Sequence, residues 1–169
     1  MEIRRQGLFL ELAELDPFLA ELLRQIPEST STEDSEAAHD RLFSSPAAPP
    51  DTQLCDEWKL YVEPELRCLF RSATETVSVD LKMLNGGAKP FANCTLRIPL
   101  KNADAWLNAL NQARLAIAAK YNFTDNELCD HYRSPIGSRR DLSLFQVNFY
   151  GFLQEFILQH MQHGAGEGP

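Results

Sequence analysis

The stretch that decides the fold is Asn102–Tyr121, NADAWLNALNQARLAIAAKY. Trp106, Leu107, Leu110, Ala113, Arg114 and Ile117 recur at helical spacing, and alanine, the best helix former, is frequent. Asn102 stands where an N-cap belongs. Every other segment can be read against this helix, because a long amphipathic helix needs partners for its apolar face.

Towards the C-terminus, FTDNELCDHYR opens with a capping box, Thr124 with Glu127, and turns Leu128 inward. After the loop SPIGSRR comes a long final helix, DLSLFQVNFYGFLQEFILQHMQH. Its expected inner stripe is Leu142, Phe145, Phe149, Phe152, Phe156 and His160, widened by Leu153 and Ile157. Gly164 occupies a C-terminal cap position, and the Gly-rich tail 164–169 reads as disordered.

Towards the N-terminus, the strand signals are short. TLRI, Thr95 to Ile98, ends at Pro99, and LFLEL pairs with it if both are strands. DPFLAELLRQIPE reads as a helix with Asp16 as cap, Pro17 at the first position and Pro27 as its stop. Residues 28–50, acidic and then Pro-rich, read as a loop region with one or two helical turns around His39 to Phe43. Asp51 is a candidate cap for a helix with Leu54, Trp58 and Tyr61 or Val62 inside. Beyond Pro64, Leu66, Leu69, Phe70, Ala73, Val77, Leu81 and Leu84 keep helical spacing, so this rod bends or restarts at the proline. NGG at 85–87 is a turn. The expectation is a mainly α domain over residues 1–163: an irregular bundle of about five helices with a small two-stranded sheet at one end.

Composition narrows the function classes. The chain has 169 residues, enough for one domain with a real core. Its net charge of −8 is uneven: residues 1–57 hold 13 acids and 4 bases, and the remainder is nearly neutral. That balance argues against nucleic-acid binding. No apolar run spans a bilayer, and the N-terminal stretch is no signal peptide, so a cytoplasmic location is expected. Cys55, Cys68, Cys94 and Cys129 form no C-x-x-C pair and read as buried or half-buried free thiols.

AAHDRLF, EWKLYVEPELR, ADAWLNALNQARLAIA and YGFLQEFIL follow one another over residues 39–160. In that order they resemble a bacterial domain-of-unknown-function family, number two thousand and seventeen, with its acid before W-L, its L-N-x-x-R-L-A motif and its terminal L-Q-E. Pro64 and the loop after Arg133 depart from the pattern. The resemblance marks Trp58, Glu65, Arg67, Trp106, Leu110, Asn111, Arg114, Gln154 and Glu155 as motif residues of structural character. Family genes often lie near that of the adaptor of the Clp protease, which implies a partner in protease machinery.

Residue chemistry adds little that is sharper. His160 and His163, three apart, resemble half of a di-metal motif, but Glu155 stands about 140° from His160 on a helix. Histidines at a helix C-terminus also meet its negative end favourably. Arg114 is expected to be buried and bonded to Glu155 or Glu65. Arg133, Arg139 and Arg140, with His131, form the one basic cluster, read as a solvated surface or an anion contact. No nucleophile elbow, phosphate loop or zinc-protease motif is present. The expected function is a non-enzymatic protein-interaction or adaptor-like module, without catalytic, metal or cofactor residues, homodimerisation being open. The alternatives are a transcription regulator and an enzyme of unrecognised type.

Overall fold

The computed structural model describes residues 1–45, 52–84, 94–129 and 136–162. The sheet has three strands rather than the expected two: β1 (Glu2–Gln6), β2 (Phe9–Leu15) and β3 (Cys94–Pro99), antiparallel in that order. The extra strand is EIRRQ. It is too polar to announce itself by hydrophobic pattern, and a two-residue hairpin folds it onto β2, with Gln6 opposite Phe9. Gly7 takes the first loop position at φ +58, a conformation that glycine adopts without penalty.

Alternation sorts the two faces of the sheet. Leu10, Leu12, Leu96 and Ile98 point into the core. On the outer face Arg4, Glu11 and Arg97 stand opposite one another across the three strands. Glu11 is 4% exposed because both arginines close over it. Between Leu12 and Leu15 the register with β3 slips, and Glu14, at φ 54, is the extra residue of a bulge. The bulge returns Leu15 to the inside, where it is fully buried.

The helices are α1 (Pro17–Arg24), α2 (Ile26–Ser29), α3 (Glu36–Phe43), α4 (Thr52–Glu57), α5 (Glu63–Leu81), α6 (Ala103–Lys120), α7 (Asp125–Cys129) and α8 (Arg139–Gln162). A π-helical turn at Trp58–Val62 joins α4 to α5 into one rod, so seven helices surround the sheet among the described residues, where about five were expected. The π turn ends just before Pro64, which has no N–H to give to the preceding turn. Pro27 does not stop the first helix; it opens α2 after a break at Gln25. Asp16 caps α1 as its sequence suggests, accepting from the Leu19 N–H at 2.9 Å. Inside the supposed loop 28–50, α3 is a capped two-turn helix that buries Ala38, Leu42 and Phe43.

Helix α6 is the centre, packing on α8, α5, α3 and α2. Trp106, Ala109, Leu110 and Ala113 are fully buried. Helix α8 is turned relative to the expected stripe: Val147, Tyr150, Leu153 and Ile157 face inward, while Phe152 is 47% exposed. Tyr150 takes the inner place because its hydroxyl finds partners there. It accepts from Gln146 Nε2 at 2.7 Å and donates to the Leu22 carbonyl at 2.7 Å. Phe149 is buried as expected and stacks on Phe145, while Phe156 stacks on His160 along the flank.

Four further expectations change. Leu54, Tyr61 and Leu69 point to solvent, because the rod touches α3 mainly through Trp58, Leu66 and Phe70. Cys68 and Cys129 are exposed thiols; Cys94 is buried and Cys55 half-buried. Asn102 does not cap α6 but donates to the buried Asp80 carboxylate. Asp51, the turn at 85–87, Arg133, His131, His163 and the tail 164–169 lie outside the described residues.

Candidate functional site

The motif residues do not converge on one pocket. Trp106 is in the core, its indole N–H donating to Asp80 Oδ2 at 2.9 Å. With the Asn102 amide at 3.0 Å from both oxygens, this wires the end of α5 to the start of α6. Asp80 carries no salt bridge among the described residues and is held by neutral donors. Leu110 is core, and Asn111 is exposed.

Arg114 is half-buried but has no carboxylate partner. Its Nη1 donates to Gln154 Oε1 at 2.6 Å, and Gln154 Nε2 donates on to the Leu107 carbonyl at 3.1 Å. Glu155 and Glu65 are both exposed. On a helix, Gln154 and Glu155 project about 100° apart, and the amide is the one turned to α6. Burial pushes the Arg114 guanidinium below its ordinary value.

Trp58 donates from Nε1 to the Phe43 carbonyl at 3.2 Å, fixing the rod to α3. Arg67 grips Glu63 through Nε and Nη2 at 2.8 and 2.7 Å and lies 4.2 Å from the Phe43 ring centroid. His160 stacks on Phe156 at 4.4 Å, and its Nδ1 is 2.9 Å from the Phe156 carbonyl. No group of three histidine, cysteine or acidic side chains able to hold a metal occurs among the described residues.

A cleft of about 300 Å³ lies between α2, α6 and the first turns of α8. Local structure places each wall. Helix α6 ends in a Schellman motif: Phe123 N–H bonds to the Ala118 carbonyl and Asn122 N–H to Ala119, with Asn122 at φ 49. That turn sets Lys120 and Tyr121 at the mouth. The Ser138 hydroxyl accepts from the Asp141 N–H at the start of α8, bringing Arg139, Leu142 and Ser143 to the opposite wall. The break at Gln25 supplies Gln25, Glu28, Ser29 and Ser31.

The floor is polar and buried. Ser143 and Gln146 are 6% and 7% exposed. Gln146 donates to Tyr150 and to Ser29 Oγ at 3.2 Å. Burial drives the Tyr150 phenol up to about 12, so it stays neutral and serves the floor as a fixed dipole.

The basic cluster of the sequence divides here. Arg140 is taken: it meets Glu127 Oε1 at 2.6 Å and lies 4.6 Å from the Phe123 ring centroid. That hydrogen bond, joined by those from Thr124, holds the Glu127 carboxyl down at about 2. Arg139 turns into the cleft and has no side-chain partner among the described residues. Lys120 faces the same space and was no candidate, because its place at a helix C-terminus already accounts for a lysine. Only the fold, which puts it on the lining of the same cleft as Arg139, singles it out.

A groove of about 500 Å³ lies on the other side of the 30–33 segment, between α3 and α5. Arg67, Arg71, Thr74, Ser78 and Gln112 line it. The buried Gln112 amide nitrogen has no hydrogen-bond partner.

Comparison with curated proteins and with solved structures finds no match. The family model does: over residues 7–161 the chain matches, and so belongs to, the family described as Domain of unknown function (DUF2017).

Proposed function

We propose that this protein is a non-enzymatic, adaptor-like interaction module of the cytoplasm. Its contact surface is the helical rod of residues 52–69, and its partner a component of regulated proteolysis. The observation that carries the reading is the run of exposed apolar side chains around that rod. Leu54, Leu60, Tyr61, Val62 and Leu69 are 40–65% exposed there. Single exposed apolar side chains are ordinary, but five of them along one stretch of rod make a surface of the kind that partners cover. Tyrosine is also among the side chains enriched at interfaces. No helix among the described residues is long and apolar enough to cross a membrane.

The test is affinity capture with cross-linking on the full chain, comparing wild type with Leu60→Glu and Tyr61→Glu. Protease-machinery subunits should be recovered with wild type and lost with both variants, whose thermal melts should match wild type. Equal recovery with the variants overturns the surface. Recovery of DNA fragments in place of a protein partner supports a transcription regulator, and a self-association abolished by the variants assigns the rod to a homodimer.

A further inference from the structure

We infer that the cleft between α2, α6 and α8 binds a phosphorylated small molecule, its phosphate held between Lys120 and Arg139. This site is independent of the rod. Arg4, Arg67, Arg97 and Arg140 each hold a carboxylate, as salt-linked arginines on an acidic protein should. Lys120 and Arg139 hold none among the described residues, although they line one cavity. Two unpaired cations on the walls of one cleft leave it with a positive field, which an anion bound there would neutralise. Phosphate suits the pair: the guanidinium offers a planar fork, and the ammonium a compact charge.

The remaining walls describe the rest of the ligand. A cleft of about 300 Å³ is much larger than a bare oxyanion needs. Ile117, Leu142 and Tyr121 give it a partly apolar side. Ser29, Ser31, Ser143 and Gln25 give hydroxyl and amide groups on the other. A compact body bearing hydroxyls, such as a sugar or nucleoside, fits that mixture, with one face on the aliphatic side chains and its hydroxyls on the serines. Glu28 is the one acid of the lining; the Asp141 carboxylate, next in the chain to Leu142, accepts from the Gly137 N–H at 3.3 Å. Glu28 opposes the anion, so its removal should strengthen binding.

Titration calorimetry at low ionic strength tests this with inorganic phosphate, a hexose monophosphate, a nucleoside monophosphate and the two unphosphorylated parents. At least one organic phosphate should bind at least tenfold more tightly than inorganic phosphate, and neither parent should bind. Lys120→Ala and Arg139→Ala should each weaken that binding tenfold or more, Lys120→Arg should retain it, and Glu28→Gln should tighten it. All three positions line the cleft, and matching thermal melts will show that the variants are folded. No binding of any phosphate by wild type overturns the inference, as does undiminished binding by the Lys120→Ala/Arg139→Ala double variant. Inorganic phosphate binding as tightly as every organic phosphate overturns the organic body and leaves a bare anion site.

Discussion

Arg114 and Gly151 are fitted to each other across α6 and α8. A β-carbon on Gly151 would stand 3.2 Å from both Cζ and Nη2 of Arg114 and 3.3 Å from Nε. The glycine in the middle of a long helix thus leaves room for a guanidinium, which Gln154, one turn on, holds in place.

In an exposed helix interior, Gly→Ala gains up to about 1 kcal/mol. Here Gly151→Ala should lower stability, because the methyl displaces a guanidinium fixed at 2.6 Å to Gln154. In an Arg114→Ala background the same change should stabilise by roughly 1 kcal/mol. A double-mutant cycle by urea denaturation should give a coupling of about 1–2 kcal/mol. Additive effects would show that the two residues do not constrain each other.

Asp80 is the second pressure point. Asp80→Ala orphans the Trp106 indole N–H and the Asn102 amide in a buried setting. Each unsatisfied group costs about 1–3 kcal/mol, out of a total of about 5–15 kcal/mol for a domain. The expected loss is therefore above about 2 kcal/mol, with Asp80→Asn milder, since it keeps an acceptor oxygen. A denaturation midpoint unchanged in Asp80→Ala would contradict this account of the α5–α6 junction.

Neighbouring residues of α8 should behave very differently. Leu153, 3% exposed, should cost about 2–5 kcal/mol on change to alanine. Phe152, at 47%, should cost well under half of that, despite the larger side chain. Thermal melts of the two variants decide it, and a larger loss at Phe152 would mean that the helix faces the other way.

Acid sensitivity should trace to Glu127 and Glu11. Hydrogen bonds from Arg140 and Thr124 hold Glu127 at about 2 against an ordinary value of 4.5. Hydrogen bonds from Arg4 and then Arg97 lower Glu11. A carboxylate depressed in the folded state contributes stability that is complete above the unfolded value and is lost as pH falls through the folded one. The advantage of wild type over Glu127→Gln should thus be constant above about pH 5 and shrink towards pH 2. Glu11→Gln should show the same sign of change. Urea midpoints measured from pH 7 to pH 2.5 check this, and an advantage that grows on acidification would reverse the assignment.

Much of this fold is legible in the chain itself. The α6 pattern, the Asp16 cap, the Thr124–Glu127 box and the strand at 95–98 depend on residues a few positions apart, so local chemistry suffices to read them. Strand β1 is not legible in that way. Its residues are mostly polar and exposed, and only the hairpin at Gly7 and the cross-strand arginines give it a place. Exposed thiols at Cys68 and Cys129 escape a reading based on the average burial of cysteine for the same reason: averages carry no position.

What the sequence determined alone is where the long helices α5, α6 and α8 and the strand at 95–98 lie, and that α6 needs company on its apolar face. What the tertiary structure alone decided is rotation and partnership. Helix α8 has apolar residues on most of its circumference, so periodicity leaves its inner face ambiguous. The burial of Tyr150 against Leu22, 128 positions away, settles it. Arg114 needed a polar partner, and the sequence points to a carboxylate, Glu155 or Glu65. The angle between adjacent helical residues gives the bond to the neutral amide. Lys120 and Arg139 likewise line one cleft only because a Schellman turn and the start of α8 bring distant backbone together. Such choices are made by packing across the core, where no short-range pattern reaches.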